Sequence, residues 1–392
     1  MHKSIPITLL TGYLGSGKTT LLNHILNNQK GYKIAVIVND IGEVNIDASL
    51  IAKDGIVSGK DESLVPLQNG CICCTLKTDL IEQINSIIET KKFDYIIIEA
   101  SGICEPVPIA QTICAMEDAY LQYNMPKLCY LDSIISVVDA KRMSDEFSNL
   151  SERMNDKIDE EDIANLIIQQ IEFCNVIILN KVDEVSKDEL DNVKKIIKAL
   201  QPSAEIIETN YSKVDISKIM EQRNFNFERA ITGAGWYASL EGDEEHEHEN
   251  HHDHEHEHEH HHEHHHDEGE VEEYGINTFV YMTREPMNRK KFFEYIDRPW
   301  PKKIIRVKGI TYFSDDKDMS YMFEQAGTLK NIMEAGPWLG AEPEDFQKQV
   351  LEENPDIARD WDPFYQDRMT KIVFIGQGIS KEEITKELDN LK

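Results

Sequence analysis

The chain has 392 residues, of which 72 are acidic and 41 are basic, and its formal net charge is −31. This length predicts about two to three domains, and a hydrophobic content of 40% is enough to fill their cores, which excludes a wholly disordered protein. The acidic excess argues against a general nucleic-acid binder, because such a protein needs basic residues to neutralise phosphates.

The first 210 residues alternate short apolar runs with longer amphipathic stretches, which is typical of a doubly wound α/β domain. Several runs are almost continuous in Ile and Val, as expected of parallel strands covered on both faces. The predicted strands are Ile5–Leu10, Lys33–Asn39, Tyr95–Glu99, Ile134–Asp139, Val176–Asn180 and Glu205–Thr209. The predicted helices are Lys18–Asn28, Thr75–Glu89, Ile163–Phe173 and Lys187–Leu200. We therefore expect a first domain with a mostly parallel sheet at residues 1–215.

A loop of the form G-x-x-x-x-G-K-[ST] follows the first predicted strand and opens the first predicted helix, at residues 12–19. In such a loop the backbone N–H groups wrap phosphates, and the helix dipole adds to the attraction. Lys18 is expected to reach the β- and γ-phosphate oxygens, and the Thr19 hydroxyl is expected to hold Mg²⁺. The fold expected for this motif is that of a P-loop NTPase. The nucleotide-binding residues predicted here are Gly12, Gly15, Ser16, Gly17, Lys18, Thr19 and Thr20.

The strand Tyr95–Glu99 ends in a carboxylate and is followed by Ala-Ser-Gly at residues 100–102. A carboxylate at this position can act on Mg²⁺ directly or through water, so Glu99 joins Lys18 and Thr19 as a predicted catalytic residue. The backbone N–H of Gly102 is a candidate contact of the γ-phosphate. Taken alone, a strand that ends in Glu is as often one that only meets solvent. The phosphate loop upstream favours the functional interpretation.

The sequence Asn-Lys-Val-Asp at residues 180–183 follows another predicted strand and has the form of the guanine-specificity motif N-K-x-D. The carboxylate of Asp183 can accept hydrogen bonds from guanine N1–H and the 2-amino group, and adenine lacks that amino group. Asn180, Lys181 and Asp183 are therefore predicted to bind the base, which makes GTP rather than ATP the expected nucleotide. Residues 209–212, Thr-Asn-Tyr-Ser, are a further candidate base-contacting loop.

Three cysteines lie within four residues, at Cys71, Cys73 and Cys74. Thiolates suit Zn²⁺ or Cu⁺, and one short loop does not easily close a tetrahedral site, so a further ligand or an open position is expected. A set of small core residues and a redox pair remain open as alternatives, although the spacing differs from C-x-x-C. The odd total of seven cysteines fits reduced thiols in the cytosol better than a secreted disulfide framework.

Half of the net charge lies in residues 241–273, a segment with 16 acidic residues, 13 His and no Lys or Arg. The rest of the chain, with 56 acidic and 41 basic residues, has a net charge of −15. Neutral imidazole binds Zn²⁺, Ni²⁺, Co²⁺ and Cu²⁺, whereas interleaved carboxylates raise the pKa of nearby His side chains and weaken metal binding as the pH falls. We predict that residues 216–274 form a linker whose His/Glu segment is disordered and binds metal weakly. Its predicted low-affinity ligands are His246, His248, His251, His252, His254, His256, His258 and His260.

A smaller α+β domain is predicted at residues 275–392. Its predicted strands are Asn277–Met282, Ile304–Val307 and Lys371–Ile375, and its predicted helices are Asn288–Ile296 and Lys381–Leu391. Ser380 is the expected N-cap of the last helix, since Glu383 follows three residues later.

The chain contains no apolar stretch near the roughly 20 residues that span a bilayer. The apolar run close to its N-terminus is too short for a signal peptide. We therefore expect a cytoplasmic protein that associates with neither membrane nor nucleic acid.

The order of these motifs resembles that of the CobW-type GTPases. The resemblance rests on the phosphate loop, Asn-Asp-Ile-Gly-Glu-Val at 39–44, Asn-Gly-Cys-Ile-Cys-Cys at 69–74, Glu-Ala-Ser-Gly at 99–102 and N-K-x-D. It extends to a small C-terminal domain through Arg-Val-Lys-Gly at 306–309 and the strand at 373–377. One departure is Asp40, where many members have Glu. The resemblance implies that Cys71, Cys73 and Cys74 bind a transferred metal, with Glu43 as the candidate non-thiol ligand.

The predicted function is a GTP-hydrolysing metallochaperone that delivers Zn²⁺ to a client metalloprotein, with the GTP state coupled to metal affinity. Co²⁺, Ni²⁺ and Fe²⁺ stay open as cargo. Maturation of a cobalt- or iron-type client, related to cobalamin or nitrile hydratase, is an alternative, and so is a metal-storage protein. A homodimer also stays open, and the sequence does not identify the client.

Overall fold

The computed structural model describes residues 4–27, 31–38, 64–66, 77–122, 126–148, 158–223, 225, 276–301, 303–327, 329–354, 357–358 and 361–392. These residues fall into two compact units. Within the described ranges, the first unit holds residues of 4–148 and 163–225, and the second holds residues of 158–162 and 276–392. None of the helices in the described ranges is both long and apolar enough to cross a membrane.

Among the described residues, the first unit contains a sheet of seven parallel strands in the order β3-β2-β4-β1-β5-β6-β7. The strands are β1 (Ile5–Thr11), β2 (Ile34–Val38), β3 (Leu64–Pro66), β4 (Tyr95–Glu99), β5 (Cys129–Asp139), β6 (Val176–Asn180) and β7 (Glu205–Thr209). The helices that alternate with them are α1 (Lys18–Asn27), α2 (Lys77–Thr90), α3 (Pro106–Gln122), α4 (Ala140–Ser148), α5 (Ile158–Glu172, of which residues 163–172 belong to this unit) and α6 (Lys187–Leu200).

The central strands are buried along their whole length. Every residue of β2, β4 and β6 is buried, which explains why their sequences are nearly continuous in Ile and Val. Strand β1 lies in the middle, with β2 beyond β4 on one side and β5 on the other. The order in which strands are added to the sheet therefore reverses at β1. In α/β sheets such a reversal opens a binding crevice at the carboxyl ends of the strands.

The core against α1 continues beyond residue 215. Ile216, Ile219 and Met220 pack in the same apolar cluster as the buried residues of α1. The fully buried carboxylate of Asp132 then accepts hydrogen bonds from the Tyr95 hydroxyl at 2.5 Å and from the backbone N–H of Arg223 at 2.7 Å. Residues up to 223 therefore take part in the packing of the first unit.

Among the described residues, the second unit contains an antiparallel sheet of five strands in the order β11-β10-β9-β12-β8. The strands are β8 (Ile276–Thr283), β9 (Ile304–Phe313), β10 (Asp316–Ala326), β11 (Leu329–Pro337) and β12 (Thr370–Gln377). The helices are α7 (Arg289–Asp297), α8 (Glu344–Glu353) and α9 (Lys381–Asp389).

The core of the second unit is rich in aromatic side chains, and α7 and α9 both contribute to it. Phe292 of α7 meets Phe313 and Phe323 edge to face, with ring centroids 5.6 Å apart in both pairs. Phe279 and Phe374 stack across neighbouring strands at 5.3 Å. Aromatic pairs in these arrangements add to the stabilisation from burial alone.

The predicted fold class is confirmed, with a parallel α/β unit and a smaller α+β unit. The bounds of β4, β6, β7 and α6 are those predicted from the sequence. Three α-helices and three strands of the described ranges were not predicted, namely α3, α4, α8, β3, β10 and β11. The predicted domain boundaries, 1–215, 216–274 and 275–392, stay predictions.

Candidate nucleotide site

The phosphate loop lies between β1 and α1, at the carboxyl end of the central strand. Lys18 is the first residue of α1 and is 8% exposed, and its ammonium donates to the carbonyl oxygens of Gly12 at 2.8 Å and Tyr13 at 3.3 Å. The backbone N–H of Ser16 donates to the Tyr13 carbonyl at 3.2 Å, which closes the turn. Gly15 and Thr20 are exposed at the rim. The loop therefore curls around the amine that is predicted to meet phosphate oxygens.

Two glycines of the site are required by close packing. A Cβ at Gly17, whose φ is +112°, would collide with the Asn180 amide and lie 2.9 Å from the Ser212 hydroxyl. A Cβ at Gly102 would lie 2.8 Å from the backbone nitrogen of Leu14 in the phosphate loop. Any side chain at these positions would push apart the loops that meet here.

Thr19 and Glu99 lie next to each other at the carboxyl ends of β1 and β4. The Thr19 hydroxyl donates to Glu99 Oε1 at 3.1 Å, and Glu99 is 2% exposed. A hydroxyl and a carboxylate oxygen are the hard ligands that Mg²⁺ prefers. These two side chains therefore fit the predicted magnesium site, which the sequence separates by 80 residues.

The segment after Glu99 is held in place by a residue that sequence reasoning missed. Gln170 of α5 is 1% exposed, and its amide donates to the carbonyl oxygens of Gly102 at 3.2 Å and Cys104 at 3.3 Å. Gln170 therefore fixes the backbone of the predicted γ-phosphate contact. Two adjacent Gln residues at 169–170 gave no signal in the sequence, because only the helix register decides which of them points inward.

Asn180 joins three loops at the site. Its amide donates to the Ser16 carbonyl at 2.8 Å, and its carbonyl accepts from the backbone N–H of Ser212 at 2.9 Å. The Ser212 hydroxyl donates in turn to the carbonyl of Gly17 at 3.1 Å. The phosphate loop, the loop after β6 and the loop after β7 thus form one hydrogen-bonded assembly.

Lys181 and Asp183 follow β6 at the exposed side of the same assembly. Lys181 has a left-handed backbone, with φ of 59° and ψ of 37°, and begins a short 3-10 turn at residues 182–184. The Asn210 side chain accepts from the backbone N–H of Asp183 at 3.1 Å. Tyr211, 71% exposed, and Ser212 also have positive φ values. The loop at 209–212, identified from the sequence as a second base-contacting candidate, therefore braces the predicted guanine-binding residues.

The predicted metal-transfer residues Cys71, Cys73, Cys74 and Glu43 lie outside the described residues, as do all the histidines of the predicted linker. Within the described ranges, no group of three or more His, Cys, Asp or Glu side chains could hold a metal ion. The metal ligands named in the sequence analysis therefore stay predictions.

Three of the described cysteines differ chemically from what a metal ligand requires. Cys104, Cys129 and Cys174 are buried, and Cys114 is half-buried. Burial raises the pKa of the Cys114 and Cys129 thiols to about 11, and burial also raises the pKa of the Cys174 thiol. These three thiols therefore stay protonated near neutral pH, whereas metal ligation needs the thiolate.

The parallel sheet with a central first strand, the phosphate loop and the helix that begins at Lys18 define a P-loop nucleotide-binding protein. Residues 6–208 match the family model "CobW/HypB/UreG, nucleotide-binding domain", and residues 276–392 match "Cobalamin synthesis protein cobW C-terminal domain". The chain belongs to the CobW/HypB/UreG family.

Relatives that match almost the whole chain and relatives that match about half of it have related names. The chain is 33% identical to "Zinc-regulated GTPase metalloprotein activator 1" of Dictyostelium discoideum, over 99% of this chain and 80% of that protein. It is 30% identical to "Zinc chaperone CobW" of Pseudomonas aeruginosa, over 55% of this chain and 59% of that protein. The Zn(II)-bound YjiA GTPase from E. coli aligns with 100% of this chain and 99% of its own, at 20% identity and a TM-score of 0.41. The predicted resemblance and the predicted GTPase class are confirmed by these matches.

Proposed function

We propose that the protein hydrolyses GTP to GDP and phosphate and uses this cycle to deliver Zn²⁺ to a client metalloprotein. The observation that carries the nucleotide part is the joint placement of Lys18, Thr19, Glu99 and Asn180 at the carboxyl edge of one parallel sheet. The relatives named as zinc-regulated activators and zinc chaperones support the choice of cargo.

In the proposed hydrolysis, the rate enhancement comes mainly from binding and charge neutralisation, as in other phosphoryl transfers. Lys18 exchanges its two carbonyl partners for β- and γ-phosphate oxygens, assisted by the N–H groups of the phosphate loop and of Gly102. Thr19 and Glu99 hold Mg²⁺ directly or through water. Mg²⁺ held by these two side chains would supply positive charge to the phosphate oxygens.

Guanine is the proposed base because of Asp183. Its carboxylate accepts from guanine N1–H and the 2-amino group, and an adenine base would leave that carboxylate without these donors. The backbone around Asp183 is braced by Asn210, and the preceding Asn180 is tied to the phosphate loop. Phosphate and base recognition are therefore parts of one hydrogen-bonded assembly.

The proposed cargo ligands are the thiolates of Cys71, Cys73 and Cys74 together with Glu43. In the sequence these residues lie between the phosphate loop and Glu99, two segments that contact phosphate and Mg²⁺ in the proposal. A change at the γ-phosphate can then change the metal affinity, and by linkage the metal must change nucleotide affinity by the same factor. The histidines at 246–260 are proposed to collect metal weakly, on a linker between the two domains.

The wider setting is part of the same proposal. We propose a cytoplasmic protein, since reduced thiols are needed for the cargo site.

The experiment measures phosphate release from GTP at pH 7 in the presence of a reductant, with and without added Zn²⁺. The proposal expects Zn²⁺ to change the hydrolysis rate of the native protein, and expects the triple change of Cys71, Cys73 and Cys74 to Ser to remove that response. Cys114→Ser is the matched control, because this half-buried thiol lies in α3 outside the cargo loop. A zinc response that survives the triple change would contradict the cargo assignment. A protein that binds Zn²⁺ but does not hydrolyse GTP would instead be a metal store.

A further inference from the structure

An ion pair joins the last residue of β5 to the base loop of the adjacent strand. Asp139 and Asn180 are register partners at the carboxyl ends of β5 and β6, so Lys181 lies one residue beyond this pair. The Lys181 ammonium donates to Asp139 Oδ2 at 2.6 Å. The side chain of Asp139 is only 14% exposed, and that of Lys181 is 31% exposed. Exposed ion pairs contribute little, but a pair shielded to this degree is screened less by salt.

The carboxylate of Asp139 is itself held at its other oxygen. Asp139 Oδ1 accepts from the backbone N–H of Arg142 at 3.0 Å, which caps the first turn of α4. The guanidinium of Arg142 lies over the ring of Tyr13 in the phosphate loop, 4.4 Å from its centroid. The anchor for Lys181 is thus fixed to the helix that also contacts the phosphate loop.

Lys181 needs such an anchor because its backbone is left-handed. A non-glycine residue in this region is strained, and it persists only where surrounding contacts impose it. The strained residue lies between Asn180, which donates a hydrogen bond to the phosphate loop, and Asp183, which is proposed to accept hydrogen bonds from guanine. Releasing the Lys181 side chain would remove one of the contacts that hold this turn, and we expect the Asp183 carboxylate to shift as a result.

We infer that Asp139 is a positioning residue for guanine recognition, and that it acts by holding the Lys181 ammonium. This inference rests on the proposal that Lys181 and Asp183 bind the base. The proposed nucleotide contacts do not include Asp139. Its effect reaches the base only through Lys181 and the turn that follows.

A merely structural role for Asp139 would be the capping of α4. Asn caps helices about as well as Asp, because its side-chain oxygen accepts the same backbone hydrogen bond. Asp139→Asn therefore keeps the cap and removes the charge that binds Lys181. Lys181→Met keeps most of the aliphatic chain and removes the ammonium, so the two changes break the same ion pair from its two ends.

The experiment is a double-mutant cycle on the full chain, using Asp139→Asn, Lys181→Met and both changes together. Equilibrium titration measures the affinities for GDP and for IDP, which lacks the 2-amino group. We expect Asp139→Asn to weaken GDP binding by about tenfold, the effect of one charged hydrogen bond, and to weaken IDP binding less. In the Lys181→Met background we expect Asp139→Asn to have no further effect.

The control is Asp215→Asn, since Asp215 also accepts a capping hydrogen bond in the same unit, from the backbone N–H of Ser217 at 3.0 Å. It should leave the ratio of GDP to IDP affinity unchanged. If Asp139→Asn weakens GDP binding equally with and without Lys181, or leaves it unchanged, the inference is overturned. If the native protein does not prefer GDP to IDP, or Lys181→Met has no effect, then the base-site proposal itself has failed.

Discussion

The two sheets of this chain differ in strand direction, and the candidate site follows from that difference. In the first unit every strand within the described ranges is parallel to its neighbours, so β4, β5 and β6 end at one edge and bring Glu99, Asp139 and Asn180 beside the phosphate loop. In the second unit neighbouring strands are antiparallel and end at opposite edges. Its side chains form an aromatic core instead. Strand direction, more than composition, decides where polar end residues can gather.

The largest expected effect is a loss of stability in the second unit that leaves nucleotide binding by the first unit unchanged. Phe374→Ala removes a ring that is 1% exposed and stacks on Phe279, so we expect the second unit to lose about 3–5 kcal/mol of unfolding free energy. At denaturant concentrations too low to unfold its second unit, the variant should bind GDP with the affinity of the native protein. Denaturation followed by fluorescence, with GDP titrated in parallel, measures both. Phe364→Ala is the control, because that ring is 82% exposed.

Two lysines that make the same type of hydrogen bond test whether position in the parallel sheet decides function. Lys18 and Lys330 each donate to two backbone carbonyl oxygens, in the first and second unit respectively. We expect Lys18→Ala to lower GTP hydrolysis by about 100- to 1000-fold, because it removes the cation proposed for the phosphate oxygens. Lys330→Ala should leave the rate unchanged. Equal losses in phosphate release from both variants would refute the assignment.

A smaller effect is expected at the predicted magnesium ligand. Glu99→Gln keeps the size of the side chain and the acceptor for Thr19, but it removes the negative charge. The Mg²⁺ concentration needed for half-maximal hydrolysis should rise by roughly 10- to 100-fold, as when supporting groups of metal sites are changed. Glu105→Gln, an exposed residue just before α3, is the control. An unchanged Mg²⁺ requirement would remove Glu99 from the site.

The smallest expected effect concerns the pH at which each unit begins to lose stability in alkaline solution. Burial raises the folded-state pKa of Cys129 from 9.0 to about 11, so its stabilising contribution is complete below pH 9 and is lost as the pH rises to 11. In the second unit burial raises the pKa of Tyr312 from 10.0 to about 12, so the corresponding loss begins nearer pH 10. Cys129→Ala should reduce the slope of the first unit's stability by at most about 1.4 kcal/mol per pH unit. Unfolding curves from pH 8 to 11 in a reductant would show no change in slope if this linkage is absent.

Local sequence patterns were enough for much of the first unit. The Ile-rich strand Tyr95–Glu99 and the helix Lys187–Leu200 have the predicted bounds. A continuous apolar run indicates a strand buried on both faces, and an amphipathic period indicates a helix, so both elements can be recognised from the local sequence. Helix α3 is not predicted from the sequence; its first turn contains Pro106 and Pro108, which weaken a helical pattern although proline is tolerated in the first turn of a helix. Strand β10 was missed because charged residues interrupt its alternating pattern.

The site divides in the same way. Lys18, Thr19 and Asn180 belong to contiguous motifs, so the sequence predicted their grouping before the fold was known. Gln170 and Asp139 belong to no motif, and their contacts depend on helix register and on the neighbouring strand. Such supporting residues become visible only when tertiary contacts are known.

The hydrogen bond from the Arg223 backbone to the buried Asp132 carboxylate has a practical consequence for anyone who wishes to cut this chain. A fragment that stops at residue 215 loses Ile216, Ile219 and Met220 from its core and leaves one oxygen of Asp132 without its donor. A buried carboxylate in that condition is costly, so such a fragment should be prone to aggregate. A fragment that extends through residue 223 keeps both features, which makes it the shorter safe choice for isolating the nucleotide-binding half.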